Sequence, residues 1–132
     1  MSLLALLGLL AGCALGGMAR VAVAARIGTG RPGSLPWNTL TVNTSGAFAL
    51  GLLAGWLDPG SPASVNGLPW LALGMGFLGS YTTVSSFSLQ TVVLLREGHA
   101  RAALANVALS LGLCLGALLL GLQLGQLAGA AI

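Results

Sequence analysis

The sequence predicts an all-α integral membrane protein of four transmembrane helices, the third broken at mid-membrane. Three observations carry this. Of 132 residues, 56% are hydrophobic and 5% charged, against about 25% charged in soluble domains, and the mean hydropathy is +0.96. The apolar residues fall into four segments, about 3–27, 37–57, 68–95 and 102–126, each reaching the roughly 20 residues that a hydrocarbon core requires. Finally, Gly76-Phe77-Leu78-Gly79-Ser80-Tyr81-Thr82-Thr83-Val84-Ser85-Ser86-Phe87-Ser88 places glycines and then hydroxyls inside the third segment. Lipid tolerates irregular backbone only where it is buried in protein or lines a cavity. A helix interrupted there presents carbonyls and hydroxyls to an ion or polar solute.

In the first segment, Gly8, Gly12 and Gly16 recur every four residues on one face, the small-residue pattern of close helix packing in lipid. Arg20 continues that stripe. Two readings stand: the guanidinium snorkels to the interface, or it guards a vestibule and attracts anions. No basic region precedes the first apolar run, so a cleaved signal peptide is not expected. Arg31, Pro32 and Gly33 give the following loop its turn chemistry. Trp37 opens the second span and Trp56 closes it, as expected of aromatic belts at the two interfaces. Within it lies Asn43, an amide that costs free energy in lipid unless satisfied. It either bonds another helix or donates its NH2 to a passing anion. Gly51 and Gly55 supply a second packing face.

Asp58 to Gly67 reads as an exposed loop, rich in Pro, Gly, Ser and Asn. In the third segment, Ser85, Ser86, Ser88 and Thr91 cover several sides of a helix, so some back-bond to carbonyls of the preceding turn rather than face a pore. Arg96 to Arg101 is a polar connector in which Glu97 and Arg101 are spaced to pair and His99 is expected to be solvated. In the fourth span Asn106 and Ser110 share a face, and Gly112, Gly116, Gly121, Gly125 and Gly129 add small-residue stripes. Four spans with short loops make one domain. Glycine stripes on several helices point to assembly with another copy or a close relative.

The chemistry is defined as much by what is missing. There is no P-loop, and no triad, zinc cluster or carboxylate pair can be assembled from two acids and one histidine. Cys13 and Cys114 lie in apolar segments without metal-ligand spacing and read as reduced thiols. Both acids, Asp58 and Glu97, fall in loops, whereas proton-coupled transporters need an ionisable group within a span. Arg20 stays charged at any working pH. A net charge of +3 from scattered arginines is no nucleic-acid surface. These features favour a passive pathway lined by neutral donors, and an anion over a cation.

Together the residues resemble the small bacterial fluoride channels of the Fluc type. The likeness rests on Gly16-Gly17-Met18-Ala19-Arg20, Thr39 through Gly46 with Asn43, Gly76 through Phe87, and Arg96-Glu97-Gly98. It implies an antiparallel dual-topology dimer with two fluoride pores in the bacterial inner membrane. It also implies a structural sodium ion at the dimer centre, held by backbone carbonyls that map to Gly79 and Thr82. Asn43 would be the pore amide and Phe87 a pore-lining ring. Thr83, Ser85 and Ser86 would lie on a polar track, with Ser110 beside it and Arg20 at the vestibule. Val84 stands where the family pattern carries a first phenylalanine, which removes one aromatic edge from the pore. All five arginines flank the first and third loops. The positive-inside rule then places both termini outside, a bias unlike that of a dual-topology protein. The implied partner is therefore either a second copy or an oppositely oriented paralogue. Two alternatives remain: a non-conducting or half-conducting subunit of such a heterodimer, and a small multidrug-type transporter, which should carry an intramembrane glutamate that this chain lacks.

Overall fold

A computed structural model describes residues 2–57 and 67–131; the loop expected from Asp58 lies outside the described residues apart from Gly67. All regular structure there is helical: α1 (Leu3–Ile27), α2 (Trp37–Leu57), α3 (Trp70–Leu78), α4 (Gly79–Tyr81), α5 (Val84–Arg96) and α6 (Ala100–Ala130). α1, α2 and α6 are each long and apolar enough to cross a membrane. The remaining apolar stretch is divided into α3, α4 and α5.

Local sequence explains the ends. The Ser2 side chain accepts from Ala5 N–H and caps α1. α5 stops at Gly98, whose φ of +82° is open to glycine at little cost. There Gly98 N–H bonds Leu95 O at 3.1 Å and His99 N–H bonds Leu94 O at 2.8 Å, the paired closure of a Schellman cap. That cap turns the chain into α6 within three residues. α6 runs for 31 residues, about 46 Å at 1.5 Å per residue, and so continues past the expected end at 126 through the Gly, Ala, Leu and Gln tail. Trp37 and Trp56 are 52% and 53% exposed at the two ends of α2, as interfacial anchors require.

Two backbone seams hold the helices. α2 and α6 make the most extensive contact, and α1 packs chiefly on α3. In the first seam a Cβ on Gly51 or Gly55 would strike Leu118 O or Leu122 O, and one on Gly121 or Gly125 would strike Phe48 O or Leu52 O. The clash is reciprocal because the two backbones touch. In the second, Gly12 and Gly16 face Ala72 O and Phe77 O, and Gly76 faces Leu9 O. Gly112 and Gly116 have nothing within 4 Å, so that part of the predicted stripe packs on nothing among the described residues.

The glycines of the third segment do not break it. Trp70–Leu78 winds as a π-helix, a rare form associated with functional sites. The break follows at Thr82 and Thr83, both extended, with φ/ψ of −76°/159° and −149°/120°. The connector also departs from expectation: Glu97 Oε2 lies 3.9 Å from His99 Nδ1 rather than pairing with Arg101. The His99 ring sits against Gly33, which joins the first and third loops at one end of the bundle.

Replacing Gly121 by valine should cost about 2–3 kcal/mol by forcing the α2–α6 seam apart. Gly129→Ala, whose Cβ would meet Trp56 at 3.5 Å and beyond, should be near neutral. Thermal unfolding of the two variants in detergent measures the difference.

Candidate functional site

The site is built where α4 ends and α5 begins. With Thr82 and Thr83 extended, the Thr83 backbone leaves the helical ladder, and unpaired backbone groups at membrane depth cost several kcal/mol each. Asn43, on α2, resolves this. Its Oδ1 accepts from Thr83 N–H at 2.8 Å, and its Nδ2 donates to Thr83 O at 2.8 Å. Only one orientation of the carboxamide satisfies both, so the geometry fixes which atom is which. One of its two N–H donors is engaged here.

The Thr83 side chain then starts α5. Its Oγ1 accepts from Ser86 N–H at 3.2 Å, donates to Ser86 Oγ at 3.1 Å and lies 3.2 Å from Ser85 Oγ, an N-cap that gathers three hydroxyls. Ser86 accepts in this bond, so its own hydroxyl hydrogen is not spent on it. On the other side of the break, Thr82 turns back, with its N–H and Oγ1 on Leu78 O at 3.1 and 3.0 Å. In a continuous helix Thr83 N–H would close on Gly79 O. Because that donor goes to Asn43, the Gly79 carbonyl is released from the turn.

Tyr81 braces the end of α4. It is buried, stacks on Phe77 with ring centroids 6.1 Å apart, and its hydroxyl lies 3.0 Å from Ser45 Oγ. Gly46 leaves room for it, since a Cβ there would collide with Thr82 Cγ2 and approach Tyr81. Further along α5, Thr91 Oγ1 donates to Phe87 O at 2.8 Å and accepts from Asn106 Nδ2 at 2.9 Å. Thr91 therefore back-bonds, as one reading of the hydroxyls held, and Asn106, 1% exposed, ties α6 to α5.

A cavity of about 390 Å³ opens onto this site, its wall including Arg20, Asn38, Thr39, Thr83, Ser86 and Gln90. Arg20 therefore lies on the same cavity as the Thr83 cap. Ser85 joins through its contact with the cap but is exposed. Val84 is 77% exposed, and Asn43, Val84, Ser85, Phe87 and Ser110 are absent from this wall, which Asn43 meets only through its bonds to Thr83. Thr39, Tyr81 and Gln90 are the residues that sequence reasoning missed. Gln90 had a signal: a carboxamide in an apolar segment, four and seven residues beyond Ser86 and Thr83 and so on their face of α5. Among the described residues no group of His, Cys, Asp and Glu could hold a metal ion. The oxygens at the break are backbone carbonyls, the hydroxyls of Thr82, Thr83, Ser85 and Ser86, and the Asn43 carboxamide.

The sequence is similar to a family of known proteins over most of its length. The family model described as "CrcB-like protein, Camphor Resistance (CrcB)" matches residues 7–122. The "Fluoride-specific ion channel FluC 2" of Bradyrhizobium diazoefficiens is 50% identical over 121 residues, covering 87% of this chain and 84% of that protein. The FluC 2 of Rhodopseudomonas palustris is 48% identical over 114 residues, covering 83% and 84%. The FluC 1 of Symbiobacterium thermophilum is 47% identical over 120 residues, covering 85% and 90%.

Asn43→Leu would leave Thr83 N–H without a partner, at about 1–3 kcal/mol, and would leave Thr83 O, the N-cap carbonyl of α5, with the helix N–H alone. The expected result is a large loss of thermal stability in detergent. Asn43→Asp, which keeps the acceptor for Thr83 N–H, should lose less.

Proposed function

Because the chain belongs to the CrcB/FluC family of fluoride-specific ion channels, we propose that it conducts fluoride passively across the bacterial inner membrane and thereby lowers cytoplasmic fluoride. The observation that carries this reading is the Asn43–Thr83 pairing beside the Arg20 cavity. It interrupts the helix and leaves the hydroxyl residues Thr83 and Ser86 on the cavity wall, with the Asn43 amide directly behind Thr83. Fluoride is small, hard and strongly hydrated, so a path must replace its water with donors of moderate strength and let it leave again. The second Asn43 N–H and the Ser86 hydroxyl are such donors, and the Arg20 charge raises the local anion concentration at the entrance. Thr83 and Ser85 extend the hydroxyl track. Glu97, the one acid among the described residues, sits at the exposed connector and is not on the wall of the Arg20 cavity. The multidrug-type alternative falls with the family assignment.

The working unit in this proposal contains two copies inserted antiparallel, with Phe87, Val84 and Ser110 contributing to pore walls that one chain does not complete. A structural sodium ion would be held between the copies by the carbonyls of Gly79 and Thr82. Release of Gly79 O from its turn fits that donor set, since hard cations take oxygen ligands, and such an ion would satisfy carbonyls freed by the break. A second reading has its own support. The loops flanked by the arginines meet through Gly33 and His99, which places Arg26, Arg31, Arg96 and Arg101 at one end and biases insertion. With Val84 in an aromatic position, the chain would then act as one half of a heterodimer with an oppositely oriented paralogue.

Purified chain in liposomes, followed with a fluoride electrode, separates these readings. Fast fluoride efflux without matching chloride efflux, abolished by Asn43→Asp, is expected of a self-sufficient homodimer. Well-folded protein without efflux would favour the heterodimer, and equal chloride efflux would overturn the anion assignment. Replacing sodium by a large organic cation during purification should slow efflux, and sodium should restore it.

A further inference from the structure

Gln90 is not absorbed by any of the roles above. Among the described residues, its Oε1 is the buried side-chain polar atom without a hydrogen-bond partner. A buried acceptor left unpaired costs about 1–3 kcal/mol, and native structures satisfy such groups, with ordered water where protein donors do not reach. Gln90 lines the 390 Å³ cavity together with Arg20, Thr39, Ser86 and Thr83. With Thr29 and Asn38 it also lines the neighbouring cleft beneath the first loop. The carboxamide thus stands where the two spaces share a wall. At about 30 Å³ per molecule, the cavity has room for on the order of ten waters.

The two ends of this carboxamide treat an anion differently. Its NH2 can donate to fluoride directly, but Oε1 cannot, because fluoride offers only lone pairs. Oxygen and anion are compatible only with a donor between them, and one water supplies a hydrogen to each. We propose that Gln90 Oε1 is a fixed water site, so that fluoride passes Gln90 still hydrated and exchanges that water for protein donors deeper in. Gln90 lies seven residues beyond Thr83 on α5, about 10 Å along the axis. Dehydration is then split into two stages: a hydrated stage in the cavity that Arg20, Thr39, Ser86 and Gln90 share, and a stripped stage at the Asn43 donor, which lies off its wall. Splitting the loss of hydration lowers the largest single step. The stage also selects for a small hydrated halide over an organic anion, which would leave Oε1 unpaired.

This inference rests on the fluoride-conducting reading, and the experiment keeps the two apart. Wild type, Gln90→Met and Gln90→Glu are reconstituted in the same liposome assay, with elution volume in detergent as the folding control. Methionine keeps length and removes the acceptor. Its fluoride efflux should fall about tenfold, the upper end of the scale for one neutral hydrogen bond, while fluoride remains preferred over chloride. Glutamate keeps an acceptor, and Arg20 on the same cavity offsets its charge, so efflux should stay within about threefold of wild type. Wild-type rates in Gln90→Met, or equal losses in both variants, would overturn the water site. Equal fluoride and chloride efflux from the wild type would instead sink the fluoride reading. The crystal structure of the unmodified chain provides the arm that needs no variant and no flux. An ordered water within hydrogen-bond distance of Gln90 Oε1 supports the site, and a protein donor or apolar contact there rejects it.

Discussion

The structure depends on one side chain meeting one backbone. The Asn43 carboxamide takes both the N–H and the carbonyl of Thr83 at 2.8 Å, and without it the interruption of the third segment would leave the Thr83 N–H unpaired at membrane depth. With it, Thr83 can be extended, its hydroxyl can cap α5, and Gly79 O is freed from the helical turn. The same contact therefore permits the break, starts the next helix and exposes the groups that can meet an ion.

Holding Asn43 opposite Thr83 is the task of the glycine seams. Few side chains are buried: Val42, Leu40, Leu78, Leu94 and Tyr81 are the larger apolar and aromatic ones, while large apolar residues are exposed along α1 and α6. A core of this kind owes little to side-chain volume. Its close contacts are backbone against backbone, at Gly12 and Gly16 on α3 and at Gly51 and Gly55 against Gly121 and Gly125. Lipid supplies no hydrophobic force between helices, so association depends on close approach and hydrogen bonds. Asn106 to Thr91 and Tyr81 to Ser45 add such bonds on either side of the break.

Charge is distributed to the same end. Fixed positive charge is kept to the arginines, and Arg20 alone reaches the cavity from within a span. The deeper surface offers hydroxyls and a carboxamide. A neutral, donor-rich lining next to a positive entrance attracts an anion without trapping it, which is what separates a pathway from a binding site.

The sequence by itself determined the four apolar segments, the glycine faces, the tryptophan anchors, the neighbourhood of the break and the family. These are properties of composition and short-range spacing. A period of 3.6 residues tells which groups share a face, and lipid turns hydrophobicity into topology. It also marked Asn43, though with two roles open. Tertiary structure decided which partner Asn43 takes, because Thr83 is 40 residues away and no local pattern encodes that meeting. It narrowed the break from the stretch 76–88 to Thr82 and Thr83. The glycines let α3 lie against α1, but the break forms where a second helix can satisfy the backbone. It likewise left Gly112 and Gly116 unpacked and set Gln90 on the cavity wall, since a stripe or an amide gains a role only from what stands opposite it.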